Sequence, residues 1–208
     1  MADIEHSLQT YVSDMLAVEE HIRVPFETQL RDGDLPKYPS ADALIRRLSD
    51  LSNTHIESLK SALQALGGHE AHAVKSAVVN VEGWFASAID KVRKTKIAKA
   101  LRDDYTALSL CTVSYSMLLS TANAYGEPAV MQLAEQHLRD YAQILMEIAL
   151  AMPGVVVQDL SETGVPANPA TTADSRRRIQ EAWRPSPELE ARMSSGSIGS
   201  TQTTTAQT

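Results

Sequence analysis

The sequence is poor in the residue types that mark several common classes of protein. It has a single cysteine, Cys111, which excludes a disulfide within the chain and a cysteine-based zinc site. Aromatic residues make up only 5% of its 208 residues, and 19 Lys and Arg are outnumbered by 26 Asp and Glu. A net charge of -7 offers no basic surface for DNA or RNA. We therefore expect no nucleic-acid partner.

Charge is absent from one long stretch, residues 105–126, which reads YTALSLCTVSYSMLLSTANAYG. A helix of this length would measure roughly 33 Å, enough to cross a membrane. Its many Ser and Thr residues, its charged flanks and the lack of a comparable second segment argue against a span. Hydroxyl side chains can bond to carbonyls of their own helix and are therefore cheap to bury. The sequence predicts a central helix surrounded by other helices, and no membrane partner.

The spacing of apolar residues predicts four long helices. Steps of three and four indicate a helix over about 2–30 and a second from Ser40, a plausible N-cap, to Gly67-Gly68. A shorter helical element is expected within 69–98. A third long helix follows at about 99–124, and a fourth runs from Pro128 to Met152-Pro153-Gly154. Two antiparallel hairpins joined by a long connection predict an all-α four-helix bundle with a helical crossover element.

The two ends of the chain carry different signals. MADIEHSLQ has neither a basic region nor an apolar run, so the sequence predicts no secretory signal and a cytoplasmic location. After Val157 the composition shifts to Ser, Thr, Pro, Ala and Gln. We therefore divide the chain into a bundle at 1–152 and a largely disordered tail at 153–208. A short helix near 173–183, anchored by Trp183, is an alternative within the tail, and such a helix would suit a protein partner.

Three ionisable residues interrupt the apolar stripes and are expected to face inward. Glu19 follows Met15 by four, and His55 and His137 lie midway between apolar residues four positions away on either side. Tyr115 shares the buried face of the uncharged helix. Glu19 and His55 fall at similar depths below the turn of the first hairpin and could meet. Two interpretations remain open, namely a Glu–His hydrogen bond completed by the tyrosine, or one zinc, iron or manganese ion held by Glu19, His55 and His137.

Several segments resemble the ferritin-like superfamily, and within it the YciE/YciF-type ferritin-like domains associated with bacterial stress responses. The similarity covers about residues 8–150 and is carried by DMLAVEEHI in the first helix, LQALGG at the end of the second, VEGWFASAID in the connection and RDD before the third. Membership would imply a di-metal site built from a glutamate on each of two helices and a Glu-x-x-His motif on each of the other two.

Compared with that pattern, most carboxylates are missing. Glu19 matches the first-helix glutamate and His55 the second-helix histidine, but Ser52 stands three positions before His55. The third helix supplies no glutamate. Ala134, not a glutamate, stands three positions before His137, and Glu135 is only two positions before it. Two metal ions without their bridging carboxylates would leave uncompensated charge in a dry core. The resemblance therefore implies a degenerate site.

The sequence thus favours a structural or stress-associated binding module, without catalytic or cofactor-binding residues, that self-associates as a homodimer or larger homo-oligomer. No serine, threonine or cysteine can be paired with an activating base. One alternative is a metal-binding oxidoreductase or metal-handling protein that uses the reduced Glu/His site. Another is a cargo protein for an encapsulin-type shell, because Ser197-Ile198-Gly199-Ser200 is similar to the C-terminal peptides of such cargo, although Thr201 replaces the usual apolar residue.

Overall fold

The computed structural model describes residues 2–68, 97–164 and 166–196. Within these ranges the chain is helical and has no strand, which confirms the all-α class. The helices are α1 (Ala2–Gln29), α2 (Pro39–Ala65), α3 (Ile97–Tyr125), α4 (Pro128–Glu162), α5 (Thr171–Ala182) and α6 (Pro187–Ser194), with a short 3-10 helix at Leu35–Lys37. The predicted crossover element lies almost entirely in 69–96, and the Ser197–Ser200 motif in 197–208. Both fall outside the described residues.

The four long helices pack around one apolar core. α1 contacts α2 and α3, and α4 contacts α3 and α2. The end of α1 meets the start of α3 through Gln29 and Asp104, whereas Gln9 near the start of α1 bonds the Leu66 carbonyl after α2. α2 and α3 therefore run in the same direction, and the chain between them connects opposite ends of the helical body. α3 and α4 form an antiparallel hairpin through a turn at Gly126, whose φ of 73° suits glycine.

Two helix boundaries differ from those predicted. α2 begins at Pro39, and Tyr38 rather than Ser40 occupies the N-cap position, without a side-chain cap bond. Proline at the first helical position is favourable because its missing N–H would have no helical partner. The prediction of an end at Met152-Pro153-Gly154 is wrong, because α4 continues to Glu162. The boundary placed between residues 152 and 153 therefore lies inside a helix.

Tertiary contacts explain why α4 continues past its internal proline. Val155 and Asp159 are both buried beyond Pro153. One Asp159 carboxylate oxygen accepts a 2.7 Å bond from the Tyr38 hydroxyl, and the other accepts a 3.2 Å bond from the Ala98 N–H. These bonds join the end of α4 to the starts of α2 and α3. The stability gained from these two bonds offsets the loss of the single backbone hydrogen bond that proline removes.

The expectation that the uncharged stretch is enclosed on all sides is wrong. In the described part of the chain, only one face of α3 is buried, and it comprises Ile97, Ala100, Leu101, Asp104, Leu108, Cys111, Tyr115, Leu118 and Ala122. On the opposite face Val113 and Met117 are 60% and 50% exposed. The stretch therefore combines a core face with an uncharged outer face.

The helix with the length and composition of a membrane span is α4 rather than the 105–126 stretch. It is the one helix among the described residues that passes this test, and 28% of its most apolar 18-residue window is buried. Exposed apolar side chains on it include Met146, Val156 and Leu160. The same helix carries the buried polar residues His137, Tyr141 and Asp159, all of which bond to other helices.

The chain divides into two compact units, Met1–Pro169 and Ala170–Thr208. In the second unit, α5 coincides with the short helix expected near 173–183, and Trp183, at its C-terminal end, is exposed. Ion pairs along α5 join Arg177 to Asp174 and Glu181. α6 is not among the predicted helices. Its signal lies in Ser186-Pro187-Glu188, since the Ser186 side chain accepts a bond from the Leu189 N–H and proline opens the helix.

Candidate functional site

The three predicted interior residues come together in the core of the first unit. Glu19, His55 and His137 are 0%, 1% and 5% exposed. Glu19 Oε1 lies 3.1 Å from His55 Nδ1, and the His55 and His137 rings stack with centroids 3.8 Å apart. Tyr115 connects Glu19 to His137, with its hydroxyl 2.6 Å from Glu19 Oε1 and 3.0 Å from His137 Nδ1. The predicted Glu–His–Tyr contact is therefore confirmed.

The Glu19 carboxylate receives hydrogen bonds from all three neighbouring helices. Oε1 accepts from the Tyr115 hydroxyl and His55 Nδ1. Oε2 accepts from the Tyr141 hydroxyl at 2.5 Å and the Ser52 hydroxyl at 3.1 Å. Each oxygen thus has two donors, which satisfies an ionised carboxylate. Hydrogen bonds to a charged acceptor are shorter and stronger than neutral ones, so this network can hold a charge inside the core.

Burial keeps the tyrosine and cysteine side chains around Glu19 in their neutral forms. It raises the pKa of the Tyr115 and Tyr141 hydroxyls well above their usual value, and the negative charge of Glu19 raises them further. Both tyrosines therefore remain donors. Burial, reinforced by Glu19, also raises the pKa of the Cys111 thiol. Cys111 is consequently a packing residue with little thiolate character.

His55 links the buried glutamate to a second carboxylate nearer the surface. Its Nε2 lies 3.3 Å from Oδ2 of Asp140, whose side chain is 26% exposed. Each nitrogen of the His55 ring therefore faces a carboxylate oxygen, one from Glu19 and one from Asp140.

His137 is neutral in this arrangement. Burial is the main reason that its pKa falls from 6.5 to about 3, and the positive charge of the stacked His55 lowers it further. The Tyr115 hydrogen is donated to Glu19, so His137 Nδ1–H must donate to the Tyr115 oxygen. Nε2 lies 2.9 Å from the Ser58 hydroxyl, which also lies within donating distance of the His55 carbonyl at 2.9 Å. The network consequently runs without a break from half-buried Ser58 to Glu19.

We expect His137 to make stability depend on acidity. Between about pH 6.5 and 3 the unfolded chain binds a proton at His137 that the folded protein does not, so folding becomes less favourable as the pH falls. The expected slope is up to about 1.4 kcal/mol per pH unit. Urea unfolding of wild type and His137→Gln at pH 7.5, 6 and 5 tests this dependence. The quantity compared at each pH is the difference between the two proteins in the free energy of unfolding. A constant difference would contradict a depressed pKa at His137.

A second buried polar pair lies where α1 meets α3. Gln29 Nε2 donates to Asp104 Oδ1 at 2.8 Å, and both side chains are buried. Burial is the first cause that raises the pKa of Asp104 from 3.8 to about 7. The Gln29 bond opposes the shift, and the charge of Asp103 adds to it. Gln29 Oε1 and Asp104 Oδ2 have no hydrogen-bond partner. A proton on Asp104 Oδ2 would allow these two atoms to bond, giving a cyclic acid–amide pair.

The positions of the donors determine which metal sites are possible. Among the described residues, no group of three His, Cys, Asp or Glu is placed to hold a metal ion. The stacking of His55 on His137 gives the reason, because their ring planes differ by only 13°. Imidazole lone pairs lie in the ring plane, and a zinc ion would have to sit roughly 2.0–2.1 Å from each nitrogen. Two parallel rings cannot both direct a lone pair at the same ion.

Sequence reasoning missed part of the network. Tyr141 appears in the sequence only as an apolar-stripe residue, although its spacing of four from His137 places it on the same face. Asp140 carries no signal in the sequence that would mark it as a partner of His55, although its carboxylate lies 3.3 Å from His55 Nε2. Ser58, three residues after His55, carries no distinguishing signal. Gln29 and Asp104 also gave no signal, because their pairing depends on how α1 and α3 pack.

Comparisons with known proteins identify no relative. No protein-family model matches the chain, and no curated protein or solved structure shows significant similarity to it.

Proposed function

We propose that this chain is a ferritin-like four-helix bundle in which a hydrogen-bonded core replaces the di-metal site, and that it acts as a structural or stress-associated binding module. The observation that carries the proposal is the saturation of Glu19. Four protein donors, from Tyr115, Tyr141, Ser52 and His55, occupy its two oxygens. A carboxylate satisfied in this way gains little from a metal ion and would lose its hydrogen bonds on binding one.

The residues that depart from the ferritin-like pattern support this proposal. Ser52 stands where the resemblance implies a second-helix glutamate, and its hydroxyl donates to Glu19. On α3, which supplies no carboxylate to this network, Tyr115 donates to the same group. Ala134, at the position implied for a glutamate on α4, is fully buried. Hydrogen-bond donors and a small residue thus stand where the ferritin-like pattern would place metal ligands. The charge of the Glu19 carboxylate is therefore satisfied by hydrogen bonds from the protein.

The competing function is a metal-binding oxidoreductase or metal handler that uses Glu19, His55 and His137. The observation in its favour is that His137 remains neutral, as a metal-bound imidazole must be. Binding would require the stacked rings to separate and the bonds to Tyr115 and Ser58 to break. This rearrangement would be needed before any oxygen or peroxide chemistry, so we favour the binding module.

Metal content distinguishes the two functions. We expect untagged protein purified without chelator to hold well under about one iron, manganese or zinc ion per chain, with no change in unfolding midpoint when Fe²⁺, Mn²⁺ or Zn²⁺ is added. His55→Ala tests the core site, and His6→Ala, on the exposed surface of α1, controls for adventitious binding. About one ion per chain, lost in His55→Ala and kept in His6→Ala, would establish the competing function. About two ions would indicate that a di-metal site survives.

A further inference from the structure

The outer face of α3 has the pattern of a helix–helix interface. Six residues recur along it at alternating steps of four and three, and all are uncharged: Thr106, Leu110, Val113, Met117, Ser120 and Ala124. We call this set the α3 stripe. Leu110 is half-buried and the other five are exposed. Regular alternation of three and four is the spacing with which one helix packs lengthwise against another. Within the described residues of the first unit, no helix covers the stripe.

The polar groups of this face are already satisfied within α3. The Thr106 hydroxyl donates to the Arg102 carbonyl at 3.1 Å, and Ser120 donates to Ser116 at 2.8 Å. Beside the stripe, Ser109 and Ser116 donate in the same way to carbonyls in the preceding turn. Removing such hydroxyls from water leaves no donor unpaired. The face can therefore be buried against apolar or small side chains without a large desolvation penalty.

The distribution of charge indicates what covers the face. The chain carries a net charge of -7, so two copies repel each other over most surfaces. The charged residues of α3 are confined to its first two turns, as Lys99, Arg102, Asp103 and Asp104, and the rest of the helix has none. A two-fold interface brings a patch onto itself, which any charge at its centre would oppose. An uncharged centre on an acidic chain therefore suits a second copy of the chain.

The ends of α3 determine the orientation of the pair. Arg102, which pairs with Asp103 and whose side chain is 64% exposed, lies four residues before the stripe, and Glu127 lies three residues after it. An antiparallel arrangement places Arg102 of each copy near Glu127 of the other, whereas a parallel one places Arg102 against Arg102. Opposed helix dipoles favour the same orientation. The midpoint of the stripe falls between Val113 and Met117, so Val113 of one copy faces Met117 of the other.

We propose that the protein forms a two-fold symmetric homodimer through the α3 stripe, with the two α3 helices antiparallel and centred between Val113 and Met117. Analytical ultracentrifugation of the full chain at about 10–100 μM is expected to give the mass of a dimer. Val113→Glu/Met117→Glu should weaken the dimer by at least about 100-fold, because it buries like charges at the centre. A wild type that is monomeric across this range would overturn the proposal.

Matched variants separate the interface from general effects of added charge. Val24→Glu introduces one glutamate at a valine on α1 that is 46% exposed, and it should leave the dimer intact. Circular dichroism and thermal unfolding should show all variants folded, because both stripe positions are at least half exposed. Equal dissociation by Val24→Glu, or an intact dimer in Val113→Glu/Met117→Glu, would each refute an α3 interface.

A charge-pair variant tests the orientation. Val113→Lys/Met117→Glu places lysine of one copy against glutamate of the other in the antiparallel register, so we expect at least a tenfold tighter dimer than for Val113→Glu/Met117→Glu. In a parallel pair the same changes would put lysine against lysine and glutamate against glutamate. Dissociation of this variant as complete as that of Val113→Glu/Met117→Glu would therefore overturn the antiparallel register.

Discussion

Glu19→Ala is expected to lower the free energy of unfolding by about 3–5 kcal/mol, the largest loss for any single substitution in the core network. The change removes the acceptor shared by Tyr115, Tyr141, Ser52 and His55, and all four groups are then left around a cavity. Buried donors without partners each cost about 1–3 kcal/mol, and water entering the cavity can recover only part of this loss. Urea unfolding monitored by circular dichroism measures the effect.

Two further variants show whether the loss arises from the network. Glu20→Ala removes a carboxylate from the next position of α1, which is only half-buried, and should change stability by less than about 1 kcal/mol. Glu19→Gln keeps the shape but turns an N–H₂ group towards two of the donors, so an intermediate loss is expected. If Glu19→Ala were no more damaging than Glu20→Ala, the network would not stabilise the fold.

The positions of the long helices could be predicted because their buried faces follow the chain at steps of three and four. This periodicity predicts α1, α2, α3 and α4 with starts and ends close to those observed, apart from the end of α4. The exceptions depend on tertiary contacts. The continuation of α4 past Pro153 relies on Asp159 bonding to Tyr38 and Ala98, which are distant in sequence. A local proline signal cannot include such bonds.

The residues of the candidate site could be predicted from the sequence, but their arrangement could not. Glu19, His55 and His137 are polar residues at apolar-stripe positions, and that signal requires only the sequence. The stacking of the two imidazoles depends on the relative rotation of α2 and α4, which periodicity does not specify. The proton arrangement also depends on Tyr115, Tyr141 and Ser58 at distances of 2.5–3.0 Å. Sequence could therefore suggest a metal site or a hydrogen-bonded core, and only the geometry favours the second.

For the uncharged stretch, the sequence correctly predicts a helix, but the environment predicted for that helix is wrong. Absence of charge over residues 105–126 predicts burial on every side, but Val113 and Met117 are exposed. The exposed hydroxyls bond to their own helix, so the stretch tolerates either water or a protein surface. If a second copy of the chain buried this face, the absence of charge in α3 would be consistent with the exposure of the face in a single chain.

Asp104→Asn is expected to stabilise the protein by about 2–4 kcal/mol at pH 8 and by a smaller amount, about 1–2 kcal/mol, at pH 5. Because burial raises the pKa of Asp104 from 3.8 to about 7, the folded protein holds a proton that the unfolded chain releases as the pH rises from about 4 to 7. Stability falls across this window, since the unfolded state binds fewer protons there, and remains low above pH 7. Asparagine carries an N–H₂ group where the protonated acid has its O–H, so it can donate to Gln29 Oε1 at every pH.

Urea unfolding of Asp104→Asn and wild type at pH 5, 6, 7 and 8 measures this difference. Asp50→Asn is the control, because it removes an exposed carboxylate on α2 that is not among the causes of the raised pKa of Asp104. His137 changes stability in the opposite direction over an overlapping range, so the wild type alone should show a shallow pH dependence. Removing Asp104 should expose the rise in stability from about pH 4 to 6.5 that His137 produces. An equal effect of Asp104→Asn at pH 5 and pH 8 would show that the Gln29–Asp104 pair does not hold a proton near neutrality.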